Sequence, residues 1–306
     1  MAVTDNTRGI IFMAVAMATF TVNDSFMKAA TQILPLSQAI VIRGGLTIVA
    51  LLVLARVMGV RTLRVAKVDR KLLGWRTVAE LGATLTFLLA LMNMPLANLS
   101  AILQSLPLAV TLGAVIALRE PVGWRRMTAI GVGLAGVLLI VRPGTEGFNV
   151  WSVLALISVA FVVVRDLTTR QFSKGLPSVT IAIYTSVSVT LMGLAGLFIQ
   201  DWIPVPPRAL AMLAAAAAML IMGYLFIVMA MRVGDVAIVA PFRYSALIWA
   251  ILIGWLAFGE IPKALTFVGA AIVVGTGLYT YLREHQVQRK IAATAASMTG
   301  TATPDR

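Results

Sequence analysis

The chain has 306 residues, 60% hydrophobic and 12% charged, with 25 Lys and Arg against 12 Asp and Glu and no cysteine. Soluble domains carry about 25% charged residues, so this composition and a mean hydropathy of +0.95 exclude a soluble globular fold and make lipid the solvent. The absent cysteines exclude disulfides, thiolate metal sites and cysteine nucleophiles; the net charge of +13 does not indicate nucleic acid, because the basic residues sit in short gaps between apolar runs.

A spanning helix needs about 20 mostly apolar residues. In chain order the sequence offers ten such stretches, near 9–30, 37–58, 74–92, 97–118, 124–141, 150–169, 178–199, 209–231, 236–258 and 263–282. Residues 9–22 superficially resemble a signal peptide, but the run continues into Asn23 and Asp24 without a clear cleavage site and reads as an uncleaved first helix. Pro107 and Pro241 lie inside the fourth and ninth stretches and are expected to kink them. Residues 283–306 are polar, rich in Ala, Ser and Thr, and read as a disordered tail. That tail holds the single histidine, His285, so no His-based metal or catalytic site is expected.

Lys and Arg collect in cytoplasmic loops. With the N-terminus inside, eighteen of the 25 fall on the inner side, seven of them in 56–76; four fall outside (Lys28, Arg142, Arg208, Lys263) and three within helices (Arg43, Arg165, Arg243). This predicts ten helices with both termini cytoplasmic. The sequence also repeats itself. Residues 90–142 and 230–282 align at an offset of 140, placing Glu120 on Glu260, Gln104 on Tyr244, and the small residues Gly131 and Ala135 on Ala271 and Gly275. Small pairs of that spacing let membrane helices approach closely. Earlier in each half the offset is 142, which places Asp24 on Asp166, Lys28 on Arg170 and Leu34-Pro35 on Leu176-Pro177. Each half has five helices, an odd number, so the second half runs upside down relative to the first. The expectation is an all-α integral membrane fold of two inverted five-helix repeats, 8–142 and 148–282. Inverted repeats are a signature of secondary transporters, with the substrate site near the midplane between halves.

The strings LREPVGW around Glu120 and FGEIPKA around Glu260, the Pro107 region and the Gly-rich helix 131–136 resemble the EamA-type repeat of the drug/metabolite transporter superfamily. The resemblance covers roughly residues 8–282 and implies transport of small organic solutes. The second half departs from it at Leu247, where the first half has Pro107, and carries Pro241 instead. The surrounding string VAPFRYSALIWA is similar to a subgroup that includes bacterial riboflavin and S-adenosylmethionine transporters.

Charged side chains inside the membrane are functional candidates by default. At about 1.5 Å per residue, Asp24 and Arg43 meet in the outer third of the bilayer, while Arg165, Asp166, Arg243 and Glu80 fall toward the inner side. Asp24, Glu80, Arg165 and Asp166 are the expected gating or coupling charges; one of the carboxylates could carry a coupling proton. The competing reading is that Asp–Arg pairs only hold helices together. Substrate binding is assigned to Arg43, Gln104, Tyr184, Tyr224, Arg243, Tyr244 and Trp249, where Arg meets anionic or carbonyl groups and aromatics stack on a ring. Packing toward lipid is the alternative for the aromatics. Trp75, Trp124, Trp151, Trp202 and Trp255 are placed in the interfacial belt. Asn23 joins these as a polar candidate, and Asn93 and Asn98 read as interhelical glue. Glu120 and Glu260 read as structural, pairing with Arg125 or Arg126 and with Lys263.

The function expected is a secondary transporter of a small organic metabolite in the inner membrane, with riboflavin uptake as the specific reading. Transport of S-adenosylmethionine or amino acids is the alternative. An integral membrane lipid-modifying enzyme is the alternative of another class, for which no catalytic cluster is evident; a channel lacks a filter or charge ring. No cofactor, metal or catalytic residue is expected. The partners are a substrate and the bilayer, with a homodimer left open and no nucleic acid.

Overall fold

Proline punctuates this chain and fixes where its helices begin. A computed structural model describes residues 5–60, 63–119, 123–142, 149–173 and 176–300. The helices are α1 (Asp5–Ala30), α2 (Leu36–Val57), α3 (Lys67–Asn93), α4 (Leu96–Leu103), α5 (Leu106–Leu118), α6 (Trp124–Val141), α7 (Val150–Thr169), α8 (Ser178–Ala195), α9 (Pro207–Val233), α10 (Val236–Val239), α11 (Ser245–Phe258) and α12 (Ala264–Gly300). Pro35, Pro95, Pro177 and Pro206 stand at the residue before α2, α4, α8 and α9. A proline there has a preset φ and no N–H to leave unpaired. Among the described residues no strand occurs, and ten helical segments are long and apolar enough to cross a membrane, α4 with α5 and residues 240–258 each counting as one. The fold is an all-helical, multi-pass membrane protein, as the hydropathy predicts.

Both interior prolines break their spans. Pro107 has no N–H to offer the carbonyl one turn earlier. The chain turns at Gln104 and Ser105, where Ser105 N–H donates to Ile102 O at 3.0 Å, and then resumes as α5. Pro241 does the same in the second half, where residues Ala240–Tyr244 form a 3-10 stretch before α11. The tail expected to be disordered differs. Helix α12 continues past the membrane to Gly300. Its extension is rich in Ala, Gln, Arg and Lys, which are good helix formers, and it propagates from a helix already nucleated in the membrane.

The main pairings are α1 on α9, α3 on α7, α2 on α8 and α6 on α12, joined by α1 on α11 and α5 on α7. Exchanging the first five spans with the last five maps this set onto itself. The α6–α12 contact corrects one expectation. Gly131, Ala135, Ala271 and Gly275 all face outward, and a Cβ on Gly131 or Gly275 would meet nothing. The close approach instead uses Gly136 and Gly269: a Cβ on Gly136 would lie 3.0 Å from Gly269 O. The repeat alignment is internally consistent because all four residues share one helical phase; that phase points to lipid rather than to the partner helix.

Candidate functional site

A cavity of about 340 Å³ opens between α1, α2, α3, α8 and α9. Helix α1 contributes Phe20, Asn23 and Asp24 to it, α2 contributes Arg43 and Thr47, and α3 contributes Glu80, Thr84 and Phe87. Thr185 and Ser186 of α8 close it. Helix α8 can come close because Gly44 of α2 has no Cβ; one would collide with Thr190.

Two polar groups meet in this cavity. In the first, Arg43 Nη1 donates to Asn23 Oδ1 at 3.4 Å, and Asn23 Nδ2 donates to Asp24 Oδ1 at 2.9 Å. The amide thus stands between cation and carboxylate. Arg43 Nε is buried and makes no hydrogen bond among the described residues. In the second, Glu80 is held between Arg165 at 3.6 Å and Arg76 at 3.7 Å. Arg165 Nε also donates to Asp166 Oδ1 at 2.9 Å. Arg76 Nε donates to Thr169 Oγ1 at 3.0 Å, and its Nη1 donates to Thr185 Oγ1. Glu80 Oε2, the oxygen in both ion pairs, is buried and accepts no hydrogen bond of ordinary length among the described residues. The site therefore offers one guanidinium N–H without a hydrogen bond among the described residues and an ion-paired carboxylate, with Phe20 and Phe87 in the same lining. Such an arrangement can hold a flat, polar or zwitterionic solute of ordinary metabolite size.

Outside this cavity the two broken spans meet. Gln104 Nε2 donates to Tyr244 O at 3.0 Å and lies 3.4 Å from Arg243 O. Carbonyls freed by the 3-10 stretch are thus satisfied by an amide from the equivalent break in the other half. Non-helical backbone at membrane depth needs such protection.

The sequence-derived candidates separate under this geometry. Asp24, Glu80 and Arg43 line the cavity, and Arg165 with Asp166 backs Glu80. Gln104 joins the broken spans. The remaining substrate candidates lie elsewhere. Tyr184 is exposed and lines a second groove with Arg64, Lys67 and Arg70. Tyr224 pairs with Ser178 at one end of α8. Arg243 is exposed. The Tyr244 hydroxyl packs against Gly277 of α12, where a Cβ would collide with it. Trp249 packs on the cluster formed by Met13, Met17 and Val239. The aromatics that reach the cavity, Phe20 and Phe87, come from the first half. Sequence reading passed over Thr185 and Ser186, although the hydroxyl-rich run from Thr185 to Thr190 in an apolar helix was a signal. It also counted Arg76 as a loop charge; its i, i+4 spacing to Glu80 was the signal there.

Glu260 departs from its expected pairing with Lys263. Its Oε1 forms an ion pair with Lys28, and its Oε2 accepts from Leu96 N–H at 2.8 Å, capping the start of α4. Lys28, read from the sequence as an outer loop charge, is 4% exposed. It also donates to Met94 O at 2.8 Å and lies 5.1 Å from the Phe258 ring centroid. One ion pair thus ties the end of α1 to the α3–α4 and α11–α12 junctions. Glu120, the equivalent residue in the first half, lies outside the described residues, and so does Lys174.

The chain is similar to known proteins. The EamA-like transporter family matches residues 149–282. Its second half therefore resembles membrane transporters of the EamA type. It is 28% identical over 275 residues to a riboflavin transporter of Vibrio cholerae, covering 87% of this chain and 90% of that protein. It is 26% identical over 267 residues to the pseudopaline exporter CntI of Pseudomonas aeruginosa, covering 87% and 93%. An S-adenosylmethionine uptake transporter of Rickettsia conorii is 25% identical over 199 residues, 64% of this chain and 66% of that protein. A solved crystal structure matches the fold with a TM-score of 0.63 at 18% identity, over 92% of this chain and 99% of its own.

Proposed function

We propose that this chain is an EamA-type transporter that moves a small organic metabolite across the inner membrane by alternating access of two inverted repeats, 8–142 and 148–282, with both termini cytoplasmic. Riboflavin uptake is the specific reading. The cavity carries it: about 340 Å³ of space where Arg43, Asp24 and Glu80 converge around Phe20 and Phe87. A flat ring can stack on the phenyl groups while its carbonyls meet Arg43 and its hydroxyls meet Asn23, Thr185 and Ser186. The helix pairing that survives exchange of the two halves supports the repeat boundaries, and the relative named a riboflavin transporter supports the cargo.

A second reading has its own observation. Arg43, whose Nε makes no hydrogen bond among the described residues, and the carboxylates of Asp24 and Glu80 line one cavity, and opposite charges facing one space suit a zwitterion such as S-adenosylmethionine or an amino acid. Uptake of labelled riboflavin, S-adenosylmethionine and aromatic amino acids into proteoliposomes, with and without a pH gradient, separates the readings. Saturable riboflavin uptake that unlabelled S-adenosylmethionine does not inhibit supports the first. S-adenosylmethionine or amino acid uptake lost in both Arg43→Ala and Glu80→Gln supports the second. No uptake of any of these solutes by folded, inserted protein refutes both.

A further inference from the structure

The groove that holds Tyr184 has a chemistry unlike that of the central cavity. It encloses about 970 Å³ and is lined by Arg64, Lys67, Arg70, Gly74, Thr77 and Tyr184, among others, with no acidic residue in its wall. The nearest carboxylate on α3, Asp69, is 2% exposed and turned to the other side. There its two oxygens accept from Ser173 N at 3.1 Å and Ser173 Oγ at 2.6 Å. The connection that brings Arg64 over the groove is pinned from beneath, since Val60 and Leu63 pack on the cluster of Leu51, Ala55, Val179 and Ile183. Arg70 is anchored at its Nε, which donates to Val65 O at 3.4 Å.

Farther along α3 and α8, beyond the three cations, each helix presents apolar side chains outward. On α3 the exposed stripe is Gly74, Trp75, Val78 and Leu85; on α8 it is Tyr184, Val187, Leu191 and Leu194. These spacings of three, four and seven keep each stripe on one helix face. Exposed apolar stripes in a membrane protein face acyl chains. We propose that this groove is a binding site for one anionic phospholipid. Its headgroup phosphate sits among Arg64, Lys67 and Arg70, its glycerol hydroxyls and esters reach Thr77 and the Tyr184 hydroxyl, and an acyl chain runs between the α3 and α8 stripes. Juxtamembrane cations attract anionic headgroups, and Tyr at that depth offers a polar tip on an apolar body. The proposal rests on the chain's placement in a bilayer and not on which solute it carries. The bound lipid would bridge α3, which presents Glu80 to the transport cavity, and α8, which presents Thr185.

Native mass spectrometry of the purified full-length protein, delipidated and then titrated with phosphatidylglycerol or phosphatidylcholine, tests this. Each cation at a lipid surface contributes about fivefold in affinity. The expected result is one phosphatidylglycerol retained at least tenfold more tightly than phosphatidylcholine, with retention falling about 25-fold in Lys67→Gln/Arg70→Gln. Lys71→Gln, on the same helix but not lining the groove, retains the lipid. Gly74→Phe removes no charge and fills open space, since a Cβ at Gly74 meets nothing; it weakens phosphatidylglycerol by blocking the acyl path. Equal retention of the two lipids, or unchanged retention in both variants, overturns the proposal. So does competition by glycerol 3-phosphate at concentrations similar to the lipid, which assigns the groove to a soluble anion. Because the readout is lipid mass, it stands whether or not any solute is transported.

Discussion

Replacing Lys28 by Met keeps the length of the side chain and removes its charge, and the structure sets the size of the effect. The Lys28 side chain is 5% exposed and that of Glu260 is 20% exposed, so the pair is shielded from water on one side and partly open on the other. Removing one member of a buried pair costs about 3–5 kcal/mol because the other charge is left uncompensated. Here Glu260 keeps the Leu96 N–H on Oε2 and some access to water, so the cost falls to or just below the bottom of that range, about 2–3 kcal/mol. Met94 O also loses its donor from Lys28. Lys28→Met should lower the unfolding free energy by that amount in a detergent denaturation series. Glu260→Gln keeps one oxygen, enough for Leu96 N–H, but turns its NH2 toward Lys28 and leaves that ammonium uncompensated, so it should cost a similar amount. The double variant should show coupling of about 1.5–2 kcal/mol in a double-mutant cycle. If the pair is also a latch on the outer face, a transport consequence follows. The chain has no cysteine, so a single cysteine placed at Thr47 in the cavity wall reports access without background. Lys28→Met should increase its labelling by an impermeant maleimide from the outside. Single-variant costs below about 0.5 kcal/mol with additive double-mutant behaviour would show that the pair does not hold the junctions together. Unchanged labelling in a destabilised variant would show that it is a brace and not a latch.

Arg43→Ala should reduce solute uptake at least tenfold in protein that still inserts, because Asn23 and Asp24 lose their cationic partner and the substrate loses its donor; initial rates in proteoliposomes check this. Gln104→Leu leaves Tyr244 O without its donor and should destabilise the crossing of the broken spans by about 1–2 kcal/mol, read as a shift in the denaturation midpoint. Gly136→Val must push Ile272 and the Gly269 carbonyl aside and should cost about 1–3 kcal/mol, whereas Gly131→Val, facing open space, should leave the midpoint within about 0.5 kcal/mol.

The ten spans were legible because a membrane helix writes its length and hydrophobicity directly into the chain. The helix breaks were legible for the same kind of reason, since a proline at Pro107 or Pro241 cannot supply the interior N–H. Gln104 and Tyr244 were paired by the repeat alignment, and the structure brings them into contact. What the sequence did not carry was helical phase. Tyr244, Trp249 and Gly131 all lie in the expected spans, yet each points away from the cavity or the helix contact. In lipid, residues facing the bilayer and residues facing other helices are both apolar, so the amphipathic stripe that fixes rotation in a soluble helix is nearly erased. Ion-pair partners were illegible for a different reason. Lys28 and Glu260 are 232 residues apart, and a local rule pairs Glu260 with the nearer Lys263.

If the Lys28–Glu260 pair is a latch, helical phase couples it to the cavity. Asp24 and Lys28 stand four residues apart on α1, one turn along the same face. One addresses Asn23 and Arg43, the other Glu260 and the α4 start. Helix α1 is continuous over this stretch, with no break between Asp5 and Ala30, so the two groups cannot move independently by more than a side-chain rotation. A displacement of α1 large enough to part Lys28 from Glu260 therefore carries Asp24 along, and it loosens the Arg43–Asn23–Asp24 relay at the same time. Conversely, a solute that draws Arg43 away from Asn23 removes one of the contacts that hold α1 against α2. The coupling free energy between site and latch then works in both directions: cargo binding should raise labelling at an outer-face cysteine in the wild-type chain, and Lys28→Met should remove that dependence. Cargo-dependent labelling that survives in Lys28→Met would place the coupling on another helix, with α7 and its Arg165–Glu80 contact the first to examine.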